Sequence, residues 1–341
     1  MRAFQLAAPG DARLRDVPVP SPCPGQVRLT VSAAGVCHSD LHVIHEGVGA
    51  AWALPFTLGH EICGVVAEVG AGVSGVVVGT QVVVHAPLGC GECSRCLAGV
   101  TNYCDRRRQL PAAGVGLGVD GGMADSVVVD ARAVVPAPGI DPCLAATLTD
   151  AGLTSYHALT SVRGLEKGAL IVVIGVGGLG HLALQMARTL FEARVVAVDN
   201  RPEALVLAEK LGAAAIARDG GEATEAVRRL SGGWGADAVL DFAGVPATTA
   251  FATDLLRTAG ELVLVGTGGG SLEVTKAGKL PQGMRLSLPF WGSRTELEEV
   301  VALAARGTLR TETLAAPLDD AAEAMERLHR GEVVGRSVLV P

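Results

Sequence analysis

The chain has 341 residues, 49% hydrophobic and 18% charged, with 45 Gly, 8 Cys and few aromatics. That length predicts two domains or one large one, and the apolar fraction excludes global disorder. A net charge of -7 argues against a nucleic-acid partner, and eight Cys in so long a chain are too sparse for a disulfide scaffold.

In chain order, the first twenty residues carry Arg2, Asp11, Arg13, Arg15 and Asp16, so they lack the apolar core of a secretion signal. Short Val-rich runs follow at 26–32, 64–69, 81–85 and 125–129, with another apolar run at 73–78, all broken by Gly and Pro. Many short strands with turn signals predict a β-rich first domain, a partly closed barrel or sandwich, over 1–150. From about 150 the rhythm changes. Strands are predicted at 169–174, 194–198, 214–217, 238–242 and 261–265. Helices alternate with them at 179–190, 202–211, 222–230 and 248–256. This alternation predicts an α/β fold with a Rossmann-type, doubly wound parallel sheet over 151–285. The tail, 286–341, returns to mixed structure, with helices at 295–305 and 318–330 and a last strand at 336–340.

Residues 168–187 contain no Asp, Glu, Lys or Arg, a length that could cross a bilayer. Gly175, Gly177, Gly178 and Gly180 cluster at the centre of this stretch, however, so a buried strand, a tight turn and a buried helix explain it better. The chain is therefore expected to be soluble and cytoplasmic, with no membrane partner. Thiols stay reduced there, and Cys clusters favour metal binding or catalysis.

The run Gly175-Val-Gly177-Gly178-Leu-Gly180 fits G-x-G-x-x-G between a strand and a helix. Gly175 permits the tight turn, Gly177 lets the backbone approach a pyrophosphate, and Gly180 lets helix and strand pack closely. The free N–H groups of the helix start then face the phosphates. Asp199, at the end of the second strand, can accept both ribose hydroxyls and would repel a 2′-phosphate, which favours NAD over NADP. Arg201, two residues on, could accommodate that phosphate and weakens the inference.

Cys90-x2-Cys93-x2-Cys96-x7-Cys104 places four thiolates within 15 residues, enough to close a tetrahedral structural zinc site. An iron–sulfur cluster is the rival. Its bacterial run places the fourth Cys three residues on and follows it with Pro. Here the gap is seven and Asp105 follows, so zinc is favoured.

Two further segments look chemical: Gly35-Val-Cys37-His38-Ser39-Asp40-Leu-His42 and Gly59-His60-Glu61-Ile-Cys63-Gly64. Together with the Gly turn and the four-Cys run, they resemble the zinc-dependent medium-chain dehydrogenase/reductase family, the alcohol dehydrogenases. The resemblance covers essentially the whole chain. Residues 148–154 and 289–294 look like its bacterial NAD-dependent secondary alcohol dehydrogenases.

The resemblance implies a GroES-like catalytic domain carrying the structural zinc lobe, a Rossmann domain, and a return of the tail to the catalytic domain. It implies NAD and two zinc ions per chain. Cys37 and His60 match two ligands of a catalytic zinc. The third position falls on Asp150, where many members carry Cys; carboxylate is an accepted zinc ligand. Glu61 matches a residue that approaches the metal from behind, and Asp40 a carboxylate that orients a ligand His. The zinc would act as a Lewis acid on an alcohol oxygen, hydride would pass to the nicotinamide, and Ser39 and His42 would relay the proton to solvent. His38 and Arg336 match pyrophosphate contacts. Thr154 and Leu179 match positions near the nicotinamide or its ribose, and Val265 ends a later strand, where a doubly wound sheet binds its ligand. The apolar segment 42–56 with Trp52, Leu54, Ala86 and Trp291 would form the substrate pocket. Ala86 stands where many members place a bulky aromatic, so a secondary alcohol/ketone pair is expected. A zinc-free quinone or enone reductase, or a non-catalytic nucleotide-binding protein, are the rival readings. A homodimer or homotetramer is expected from the resemblance.

Overall fold

In the computed structural model, which describes residues 1–47, 52–276 and 278–341, contacts divide the chain into two units. One comprises Met1–Leu153 with Trp291–Pro341, the other Thr154–Phe290.

The first unit is built on a long strand, Gln26–Val36, whose apolar residues alternate with polar ones over its first half. It pairs antiparallel with Glu61–Val69, with Ser126–Asp130 and with the terminal strand Arg336–Val340. That last pairing makes the unit discontinuous in sequence: the final residues return to lie against residues 34–36. Gln81–Val84 and Val134–Pro136 continue the sheet on one side, and Thr313–Pro317 continues it on the other. A separate three-stranded sheet, in which Arg2–Ala8 pairs with both Asp11–Asp16 and Phe56–Thr57, was not foreseen: the strand DARLRD carries four charged residues and only two apolar ones. The apolar run 73–78 forms no strand. It is an irregular segment, bent at Gly75, in which Val77 and Val78 are exposed.

The second unit is a six-stranded, all-parallel sheet. Its strand order is Ala215–Ala217, Arg194–Val198, Leu170–Ile174, Ala236–Asp241, Leu256–Leu264, Arg285–Ser287. The central strand LIVVI is buried at every position, as expected of a parallel strand covered on both faces. Leu170, Val172, Ile174, Val196 and Val239 pack with Ala223, Ala226 and Val227 of the helix Gly220–Ser231 into one core. The order reverses at Leu170–Ile174, so the carboxyl end of that strand is the topological switch point where doubly wound sheets bind ligands. None of the described helices is long and apolar enough to cross a membrane.

Candidate active site

In the first unit, three separate segments converge. The helix His38–Glu46 begins directly after Cys37, which is its N-cap residue. Asp40, fully buried, accepts the Cys37 backbone N–H through Oδ2 at 2.9 Å and so closes the first turn. Its other oxygen, Oδ1, lies 3.3 Å from His60 Nδ1, and neither atom has another partner among the described residues. One carboxylate thus holds the backbone of Cys37 and the imidazole of His60 together. With Nδ1 turned to Asp40, His60 presents Nε2 to the centre of the cluster.

Asp150 arrives on a short π-helix, Leu148–Gly152, inserted between the helices Pro142–Thr147 and Leu153–Thr160. Such single-turn insertions recur at functional sites, where the extra residue re-aims a side chain. Asp150 Oδ2 lies 3.5 Å from Cys37 Sγ and 3.5 Å from His60 Nε2. Glu61 completes the group: ligand atoms of Cys37, His60, Glu61 and Asp150 all lie within 4.8 Å of one another. Glu61 fits because residue 35, its strand partner, is Gly; a Cβ there would stand 2.8 Å from the Glu61 Cβ.

This cluster gathers a thiol and three carboxyl groups, counting Asp40, around one imidazole and one guanidinium. Burial opposes protonation of His60, yet the Asp40 and Asp150 carboxylates hold its pKa well above the ordinary value. Burial also pushes the Glu61 carboxyl up to about 7, against the pull of Arg336. A divalent cation would balance this excess of anionic donors. Sulfur, imidazole nitrogen and carboxylate oxygen are the donor types of a catalytic zinc site.

Arg336 opens the last strand, one residue before the Ser337–Val36 pair, and is 3% exposed. Its Nε donates to Glu61 Oε2 at 3.1 Å and its Nη2 to Glu61 Oε1, and Nη2 is 3.7 Å from Asp150. This pairing was not foreseen, because the two residues are 275 positions apart and no local pattern links them. Ser39 Oγ lies 3.7 Å from Cys37 Sγ. His42 is half-exposed on the same helix, with Nδ1 2.7 Å from Glu46 Oε1, and His38 is exposed. Trp291 and Ala86 are buried, and Trp52 and Leu54 are half-buried. Residues 48–51 of the expected pocket segment lie outside the described residues.

The other Cys group is a separate site. The N–H groups of Cys93, Cys96 and Cys90 donate to Sγ of Cys90, Cys93 and Cys104 respectively, each at 3.4 Å. Backbone donors from Glu92 and Cys93 pull the Cys90 thiol down to about 6, while burial pushes Cys96 up to about 12. The four sulfurs form one cluster whose donors lie within 4.8 Å of one another. N–H groups aimed at sulfurs favour thiolates, so the residues fit a closed four-thiolate zinc site.

In the second unit, Gly175 follows the strand Leu170–Ile174 at φ +84, a backbone that only Gly adopts readily, and the helix Gly180–Phe191 begins five residues later. A Cβ at Gly180 would stand 2.9 Å from the Gly175 carbonyl carbon, so helix and turn touch only because it is absent. A Cβ at Gly177 would meet only Arg201 Nη2, at 3.7 Å, so the backbone there is screened by little else among the described residues. Asp199 Oδ2 accepts the Val176 N–H at 2.8 Å; Oδ1 accepts the Arg201 N–H at 2.9 Å and Nε–H at 3.2 Å. The carboxylate expected to read the ribose therefore also braces the Gly turn. Thr154 is buried, Leu179 precedes the helix and accepts from Ser155 Oγ at 2.9 Å, and Val265 follows the strand Leu256–Leu264.

Comparison with known proteins agrees with this layout. The family model described as "Alcohol dehydrogenase GroES-like domain" matches residues 23–139, and that described as "Zinc-binding dehydrogenase" matches 178–306. A protein of Sulfolobus acidocaldarius named NAD-dependent alcohol dehydrogenase is 34% identical over 99% of both chains. The crystal structure of an alcohol dehydrogenase from Aeropyrum pernix superposes with a TM-score of 0.90 at 35% identity, covering 100% of each chain. An acetophenone reductase from Geotrichum candidum, solved with NAD, gives 0.87 at 29% identity, covering 100% of this chain and 97% of the other.

Proposed function

This chain belongs to the zinc-binding alcohol dehydrogenase family, and from that premise we propose that it transfers hydride reversibly between NAD and a secondary alcohol/ketone pair. The observation that carries the reading is the convergence of Cys37, His60 and Asp150 on one buried point, in a chain that also carries the Gly turn and Asp199. Zinc held by those three residues would act as a Lewis acid on the substrate oxygen.

The protein's own groups do the rest. Asp40 fixes the His60 tautomer and closes the turn that presents Cys37. Ser39, beside Cys37, takes the proton of the substrate hydroxyl. His42, half-exposed and bonded to Glu46, passes it to solvent, a step an imidazole suits near neutral pH. Glu61 stands behind the ligands, with Arg336 as its counter-ion. His38 and Arg336 are assigned to the pyrophosphate, Arg336 through the Nη1 that Glu61 does not use. Asp199 selects NAD, since its partner Arg201 is already engaged with it. Thr154, Leu179 and Val265 are assigned to the nicotinamide half.

Small Ala86 beside Trp291, with Trp52 and Leu54, supports a pocket that admits a branched carbinol. The likeness to a protein named for reducing acetophenone, a ketone, points the same way. A kinetic panel of primary and secondary alcohols, followed by NADH absorbance, tests this: strict preference for primary alcohols overturns it. Reduced thiols in the four-Cys lobe fit a cytoplasmic enzyme. The edge strand Arg285–Ser287, with exposed Leu286 and Leu288 beside it, supports sheet extension in a homodimer or homotetramer, and a monomer by light scattering would contradict that.

A further inference from the structure

His85, which neither zinc site nor the proton path uses, is buried just beyond the strand Gln81–Val84 and bonded far along the chain. Its Nε2 lies 2.9 Å from the carbonyl oxygen of Gly292, 207 positions away. A carbonyl only accepts, so Nε2 carries the proton. Burial pushes the imidazole pKa down, which favours the neutral ring with its proton on Nε2.

What this bond pins is the residue before Gly292. Trp291 has φ +48, in the left-handed region that a bulky side chain rarely occupies. Such a backbone persists only where its surroundings fix it. Gly292 itself is hemmed in, since a Cβ there would stand 2.6 Å from Leu153 Cδ1. The indole tip, Cη2, packs over Gly114, where a Cβ would stand 2.9 Å from it and 2.7 Å from the Ala86 carbonyl oxygen. Held this way, the indole meets the His60 imidazole edge-on, centroids 5.7 Å apart at 72°.

We propose that His85 is a positioning residue: its hydrogen bond to Gly292 locks Trp291 in the left-handed conformation that sets the alcohol pocket's wall and braces the His60 imidazole. His85 touches neither substrate nor metal and acts through Trp291. The inference rests on reading His60 as a ligand of the catalytic zinc and Trp291 as a pocket wall. It predicts that substrate discrimination depends on a donor at position 85, not merely on bulk there.

The test compares zinc-loaded wild type with His85→Leu, His85→Ala and His85→Gln. The readouts are kcat/KM for 2-butanol against ethanol, zinc content, and Trp291 emission in a W52F/W234F background. His85→Leu and His85→Ala are expected to lower the 2-butanol/ethanol ratio about tenfold, chiefly through KM, and to shift the emission, with two zinc ions retained. His85→Gln, whose amide donates, recovers most of both. If His85→Ala yields no soluble protein, the Leu/Gln contrast decides. An unchanged ratio and emission in His85→Leu, or a Gln variant indistinguishable from Leu, overturns the proposal. Wild-type turnover that survives loss of the catalytic zinc would instead sink the underlying site reading, so the two failures are told apart.

Discussion

The Glu61–Arg336 pair yields the most quantitative prediction. Glu61 is fully buried and Arg336 3% exposed, so Arg336→Met leaves a carboxyl in a low-dielectric site without its counter-charge. Breaking a buried pair from one side costs about 3–5 kcal/mol. For a folding unit of this size about 2–4 °C of melting temperature is lost per kcal/mol, so a drop of about 6–20 °C follows. Glu61→Gln should cost less, because Asp150 Oδ2, 3.7 Å from the Arg336 Nη2, remains as an anionic neighbour for the guanidinium. The double variant Glu61→Gln/Arg336→Met removes both charges and should melt above Arg336→Met alone. The assay is the first transition in thermal circular dichroism of the zinc-loaded protein, with wild type and the three variants run as a cycle. An Arg336→Met protein that melts within a degree of wild type would refute the reasoning. So would a double variant no more stable than Arg336→Met.

Three further outcomes are expected. Asp40→Ala should weaken the catalytic metal about 10–100-fold by freeing the His60 ring, while the four-Cys metal stays; dialysis against a graded chelator with metal analysis measures this, and full retention of both ions speaks against it. Asp199→Gly should remove the carboxylate that opposes a 2′-phosphate and release Arg201, so the NAD/NADP ratio of kcat/KM should fall at least tenfold; an unchanged ratio would place cofactor choice elsewhere. Cys96→Ser should loosen the lobe, so that trypsin cleaves at the already exposed Arg106 and Arg108 well before alcohol turnover declines, since a closed four-thiolate site has no open position for substrate; simultaneous loss of both would join the lobe to the chemistry.

Much of this was legible in the sequence because it is written locally. The Gly turn, the strand before it and the helix after it lie within 22 residues, and the four-Cys run within 15. Asp40 could be tied to a ligand His only through the family resemblance; the structure adds that its second oxygen also caps the helix after Cys37. The relations that escaped are those that topology alone creates. Arg336 meets Glu61 only because the last strand is inserted beside residues 34–36. Asp150 is aimed by a π-helix, which leaves no mark in hydrophobic periodicity. The hairpin at residues 2–16 hid behind charged side chains. The run 73–78 reads as apolar yet forms no strand, because the glycines within and beside it, at positive φ at 72, 75 and 79, outweigh its valines.

The central claim, a second metal seated in Cys37, His60 and Asp150, is tested most directly by anomalous diffraction at the zinc edge from crystals of the active enzyme. Two peaks are expected per chain, one among Cys90, Cys93, Cys96 and Cys104 and one among Cys37, His60 and Asp150. A single peak, at the four-Cys lobe, in protein that still oxidises alcohols at full rate would contradict it.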